Sequence, residues 1–189
     1  MELPRRKPNR LIGYDYSTNG VYFVTVCVKD KHKILWKPHN VGANCVRPLP
    51  PANECDLNTY YRNKYELSYC GNVVENEIHK IHRIYQSVYV DKYCIMPDHI
   101  HMIIVIDHRQ CNILNDKSNV STVNGRTQFA PTDKVPSLSR IIKQFKGSIT
   151  KQLGYTIWQK SFHDEIIRNE KMYKEILGYI EDNPKKYIL

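Results

Sequence analysis

Two histidines stand two residues apart in CIMPDHIHMIIVI (residues 94–106), an otherwise apolar run. Side chains of an extended strand alternate between faces, so His99 and His101 share one face and Ile100 and Met102 the other. Two imidazoles on one face can offer two nitrogens to one ion, whereas a lone histidine on such a strand is more often a hydrogen-bonded structural residue. The H-x-H pattern is weak alone and needs further ligands. No C-x-x-C or H-E-x-x-H accompanies it, which argues against standard structural zinc and zincin sites. The last helical stretch, EKMYKEILGYIEDNP (170–184), places Tyr179 and Asn183 four residues apart and therefore on one helical face. Pro184 is expected to stop that helix, leaving the Asn183 amide free to turn toward an ion. The plainer alternative is that Tyr179 fills core space and Asn183 caps the helix. Taken together, two imidazoles, an amide oxygen and a phenol could break a phosphodiester. The ion would polarise phosphate oxygens while the phenol attacks phosphorus, and the covalent product would keep the bond energy for rejoining. A phenol ordinarily ionises near pH ~10, so this chemistry calls for neighbouring positive charge. Of the 14 tyrosines, Tyr173 is six residues from Tyr179 and off its face, and Tyr187 lies beyond the expected helix stop.

These residues need a scaffold. VYFVTVCV (21–28) is rich in β-branched and aromatic residues and predicts a central strand. GNVVENEIHKIHRIY (71–85) puts Val74, Ile78, Ile81 and Tyr85 on one helical face, with His79 and His82 pointing to solvent. Strands at about 87–96 and 99–107 follow, joined through MPDH as a tight hairpin. PSLSRIIKQFKGSITKQLG (136–154) is an amphipathic helix with Leu138, Ile141, Ile142, Phe145 and Ile149 inward, Lys143, Lys146 and Lys151 outward, and Gly154 closing it. YTIWQKSFHDEIIRN reads as a connector to the last helix. This order fits an α+β ferredoxin-like sandwich, an antiparallel sheet with helices on one face. The expectation is one domain over residues 1–189, with irregular insertions at about 38–58 and 108–134.

Lysine and arginine outnumber aspartate and glutamate 28 to 19, giving a net charge of +9, which suits a polyanion such as nucleic acid. Arg5, Arg6 and Lys7 could lie along phosphates or belong to a solvated end, and Lys143, Lys146 and Lys151 could do either as a helix face. Trp158 could stack on unpaired bases or pack in the core, and Arg168 is a further candidate DNA contact. The six cysteines form no C-x-x-C pair and read as reduced thiols. No signal peptide is read and no apolar run reaches the ~18 residues of a membrane helix, so the expectation is a bacterial cytoplasmic protein.

The segments MPDHIHMII and IWQKSFHDEIIRNEKMYKEILGYIEDNP, with YFVTVCV and IIKQFKGSIT, resemble the single-tyrosine HUH transposases (IS200-like), especially the REP-associated tyrosine transposase branch. The resemblance spans most of the chain outside the two insertions. It implies that His99 and His101 bind Mg²⁺ or Mn²⁺, that Asn183 is the third ligand and that Tyr179 is the nucleophile. It implies as partner single-stranded DNA with imperfect hairpins, cut to a 5′-phosphotyrosine and a free 3′-OH by a monomer or homodimer. Asp98 stands where that family often has Asn, which could alter the charge around the metal. Two other readings compete. A domesticated hairpin-DNA-binding protein would have no need of the full set of His99, His101, Tyr179 and Asn183, and a metal-dependent phosphoesterase would need neither the basic charge nor the phenol.

Overall fold

The computed structural model describes residues 11, 13–38, 66–108 and 136–188. The expected insertions fall almost wholly outside these residues, as do Arg5, Arg6 and Lys7. The elements run β1 (Gly20–Cys27), a short 3₁₀ turn (Lys29–Lys31), α1 (Tyr69–Ile84), β2 (Val88–Ile95), β3 (His99–Ile106), α2 (Leu138–Leu153), β4 (His163–Ile167) and α3 (Glu170–Ile188). The strands form one antiparallel sheet in the order β2-β3-β1-β4. This is the ferredoxin-like α+β sandwich, with the expected strand and the expected hairpin as its two central strands and one edge.

Period-two alternation divides the sheet into two unlike faces. Pairing sets Tyr22 opposite Ile104, Val24 opposite Met102 and Val26 opposite Ile100. All six are fully buried, and the apolar stripes of α1 and α2 pack onto them. Burying each such side chain contributes about 1.5–3 kcal/mol. The α1 stripe is Val74, Ile78 and Ile81, and the α2 stripe is Leu138, Ile141, Ile142, Phe145 and Ile149, as the 3.6-residue spacing predicts. Ser68 caps α1 by accepting from Gly71 N at 3.1 Å. Gly154 closes α2 at φ 81°, a left-handed conformation that glycine adopts without steric cost. Gly71 has a different reason to be glycine. A Cβ there would stand 2.1 Å from the Leu35 carbonyl oxygen, so the first turn of α1 can sit on the backbone of the loop after β1.

On the opposite face the pairs are Phe23 with Ile103, Thr25 with His101 and Cys27 with His99. The third helix, α3, lies across this face, so within the α+β sandwich the expected placement of helices on one face holds for α1 and α2 but not for α3. It is held to β2 by Tyr173 Oη donating to Asp91 Oδ2 at 2.5 Å and by a Lys92–Glu181 ion pair at 2.7 Å.

Two further expectations change. The connector after α2 contains β4, which pairs with β1 from Val21 opposite Ile167 to Thr25 opposite His163. Five residues, HDEII, are too short for a clear alternation, and their charges suit a sheet edge that must not recruit other strands. Nor does α3 stop at Pro184. An internal proline removes one helical hydrogen bond and costs about 3 kcal/mol, but here Asn183 and Pro184 are buried and the Tyr187 ring packs edge-on against Trp36 at 6.1 Å. These contacts hold the final turn, so Tyr179, Asn183 and Tyr187 share one continuous helix. Among the described residues no helix is long and apolar enough to cross a membrane, and Cys27, Cys70 and Cys94 are free thiols.

Candidate metal and tyrosine site

The tight β2–β3 turn, closed by Met96 N donating to His99 O at 2.8 Å, delivers His99 at the start of β3. Its central carbonyls are also used: Leu35 N donates to Pro97 O at 3.0 Å and Val28 N to Asp98 O at 2.8 Å. The turn is therefore pinned from outside, and the histidine that follows inherits its position.

Each imidazole is oriented through its Nδ1. That of His99 lies 2.6 Å from Asp98 Oδ1, and that of His101 lies 2.9 Å from Thr25 Oγ1 on the neighbouring strand. The ring of Phe23 stacks on His101 at 5.2 Å and 21°. Both Nε2 atoms consequently face each other, 3.1 Å apart. With His99 Nδ1–H donating to the carboxylate and His101 Nδ1–H to the Thr25 hydroxyl, the two facing Nε2 atoms present lone pairs that a proton or a cation would bridge. Two nitrogens bound ~2.1 Å from one ion at right or tetrahedral angles stand ~3.0–3.4 Å apart, so the observed separation fits a shared metal. His101 is buried, 4% exposed. Burial, then the neighbouring His99, lower its pKa to about 4 against the opposing pull of Asp98. It is thus neutral at physiological pH, the form a metal ligand requires.

The α3 helix brings the phenol. Tyr179 Oη is 3.5 Å from His101 Nε2, and its ring meets His101 at 5.2 Å and Phe23 at 6.1 Å, both edge-on. The residue is 43% exposed, which leaves its side chain open to a substrate from one side. Lys186 Nζ lies 5.8 Å from its centroid and supplies positive charge. One turn from the tyrosine, Asn183 is buried and its Nδ2 has no hydrogen-bond partner among the described residues. Because the helix continues past it, Asn183 is no cap; its unpartnered Nδ2 is a hydrogen-bond donor, and Oδ1 is the atom of this side chain able to ligate an ion.

Other tyrosines and histidines are differently employed. The Tyr173 phenol is tied to Asp91, whose hydrogen bond, with burial, pushes its pKa up to about 12. His79 reaches Tyr93 Oη at 2.9 Å and His82 reaches Val88 O at 3.3 Å, both from the exposed side of α1.

The candidate DNA contacts separate. Lys143, Lys151 and Arg168 are exposed. Lys146 is not on an outward basic face: its Nζ donates to Gln159 O at 2.8 Å and Ser161 O at 2.7 Å, and burial lowers its pKa to about 8. It is a clasp between α2 and the segment leading to β4. Trp158 is buried at 5% exposure against Phe145, which leaves no face for a base. Thr25 and Phe23 carry no signal in the sequence, because only strand register brings them against His101; the adjacency of Asp98 to His99 is visible there, but its hydrogen bond is not.

No protein-family model matches the chain. It is 27% identical over 184 residues, 95% of its length and 88% of the relative's, to a Haemophilus influenzae protein of uncharacterised function. It is 25% identical over 173 residues, 92% of its length and 74% of the relative's, to an H. influenzae protein named as a candidate REP-associated tyrosine transposase. Among solved structures, a REP-associated tyrosine transposase bound to a REP hairpin superposes with a TM-score of 0.50 at 20% identity, covering 99% of this chain and 74% of that one. The resemblance drawn from the motifs thus extends over nearly the whole sequence and to the fold.

Proposed function

We propose that this chain, similar throughout to REP-associated tyrosine transposases, cleaves and rejoins single-stranded DNA beside hairpins through Tyr179. The Tyr179 oxygen gives up its proton to water and attacks phosphorus, forming a 5′-phosphotyrosine; the bond from phosphorus to the 3′ oxygen breaks, and that oxygen takes up a proton from water and leaves as a 3′-OH. His99, His101 and Asn183 would hold Mg²⁺ or Mn²⁺ beside that phosphate. A bound divalent ion supplies charge stabilisation at the phosphate oxygens. Asp98 and Thr25 fix the two imidazoles, and Phe23 keeps the His101 ring from rotating.

The carrying observation is the approach of Tyr179 Oη to His101 Nε2, 3.5 Å, where the two imidazole nitrogens converge. A binding protein gains nothing from a half-exposed phenol aimed at paired imidazoles, and a small-molecule phosphoesterase has no use for +9. The hairpin held by the solved relative supports hairpin DNA as the partner.

Tyr179→Phe provides the test. Labelled single-stranded hairpin DNA from the flanks of the gene, incubated with protein and Mn²⁺, should run at protein mass on a denaturing gel. The band should vanish with Tyr179→Phe and with EDTA. Equal cleavage by the variant would remove Tyr179 from the reaction, and binding without any cleavage would leave the hairpin-binding reading instead.

A further inference from the structure

The sequence VKDKHKILWK (28–37) immediately follows β1 and carries the densest cluster of cations among the described residues. Lys29, Lys31 and Lys33 are exposed, and none is ion-paired with another described residue, whereas Lys37 is paired with Glu66 at 2.8 Å. The backbone here is unusual. Asp30 and Lys31 both have φ 54°, a left-handed conformation costing on the order of 1 kcal/mol for each non-glycine residue. Such a turn persists only if its surroundings impose it. Here Val28 N and Leu35 N are bonded to the turn before His99, and Lys29 N donates to Ile157 O at 2.8 Å. The lysines are therefore displayed by a rigid loop fastened to the same turn that delivers the metal-site histidine.

The loop also meets α3. Lys33 Nζ lies 5.6 Å from the Tyr187 ring centroid, and Tyr187 is 45% exposed, edge-on to Trp36. Tyr187 is two turns beyond Tyr179, about 12 Å along the helix axis, so the line from the candidate nucleophile to the lysines runs beside one helix and ends on an exposed aromatic ring. A row of cations with no ion-pair partner among the described residues, beside an aromatic platform, is the chemistry that binds unpaired nucleotides.

We propose that Lys29, Lys31 and Lys33, with Tyr187 as a stacking surface, form a track for the single-stranded DNA that flanks the cleaved phosphate. This rests on the function proposed above. Each lysine–phosphate contact on a single strand adds about 0.7 to the steepness of log affinity against log salt.

The probe is a fluorescent hairpin with single-stranded tails, and the same hairpin without tails. Lys29→Gln/Lys31→Gln/Lys33→Gln should weaken tailed-hairpin binding at least tenfold at low salt, lower the salt slope by about 2 and leave tail-less binding unchanged. Tyr187→Ala should weaken only tailed binding, and Tyr187→Phe should restore it. Circular dichroism checks that the variants fold; these side chains are exposed, and Tyr187→Phe preserves the ring. Wild-type affinity and slope in the triple variant, with cleavage intact, would overturn the track and leave the function standing. No wild-type binding to either probe at low salt would overturn both.

Discussion

The two faces of this sheet are made by the same strands yet do opposite work. On β1 and β3 the residues Val24, Val26, Ile100 and Met102 are sealed under α1 and α2, while their immediate neighbours Thr25, Cys27, His99 and His101 face α3. One face is closed by apolar stripes. The other is closed only in part, by a helix tethered through Tyr173–Asp91 and Lys92–Glu181, and it leaves Tyr179 accessible. Alternation thus lets a strand spend every second residue on stability and the rest on positioned polar groups, with the rigid face holding the polar one in register.

If the division is real, substitutions on the two faces should separate activity from stability. The largest effect on activity is expected from His101→Ala, which removes one of the facing nitrogens. The covalent DNA product should fall to background on the denaturing gel, while the thermal midpoint moves far less than for a substitution under α1 and α2. A His101→Ala protein that still forms the adduct at the normal rate would take the histidine pair out of the chemistry.

The converse experiment is Met102→Ala, one residue along the strand. Emptying this fully buried position should cost about 2–5 kcal/mol in urea unfolding, yet adduct formation per folded molecule should stay near wild type. Loss of activity without loss of stability would show that the faces are coupled rather than divided.

A smaller effect belongs to Asp98. Its carboxylate holds His99 Nδ1 at 2.6 Å, the kind of supporting contact whose removal lowers metal affinity about 10- to 100-fold. Asp98→Asn keeps an acceptor but removes the charge, so titration with Mn²⁺ should show weakening near the lower end of that range. Unchanged affinity would mean that the turn backbone alone orients His99.

How much of this was readable beforehand follows the same physics. Helices α1 and α2 and the β2–β3 hairpin were legible because long apolar periods carry their own signal. His99 and His101 stood out by type and spacing, and Tyr179 with Asn183 by their helical offset. β4 was not legible, since a charged edge strand of five residues has no pattern to distinguish it from a connector. The continuation of α3 through Pro184 depends on tertiary burial of Asn183 and Pro184, which outweighs a local rule. Thr25, Phe23 and the inward turn of Lys146 depend on which segments become neighbours, and spacing along one chain does not contain that information.

The least expected effect lies on the covered side, where α1 meets α2. Glu77 is buried at 3% exposure. Burial alone would raise its carboxyl pKa, but hydrogen bonds from Lys80, Ser148 and Gln152 outweigh it, and the net shift is below the ordinary 4.5. The unfolded chain therefore binds this proton more readily than the folded one. By linkage, the stabilisation is fully present above pH ~4.5 and drains away as pH falls through the depressed folded value. Urea unfolding across acidic pH should show that loss in the wild type and a shallower one in Glu77→Gln, which has no charge to lose. At neutral pH the variant should be somewhat less stable, because Lys80 loses its anion, but Mn²⁺ affinity should not move. A Glu77→Gln change that altered metal binding would mean the helix seam reaches through the sheet, and the two faces would have to be treated as one unit.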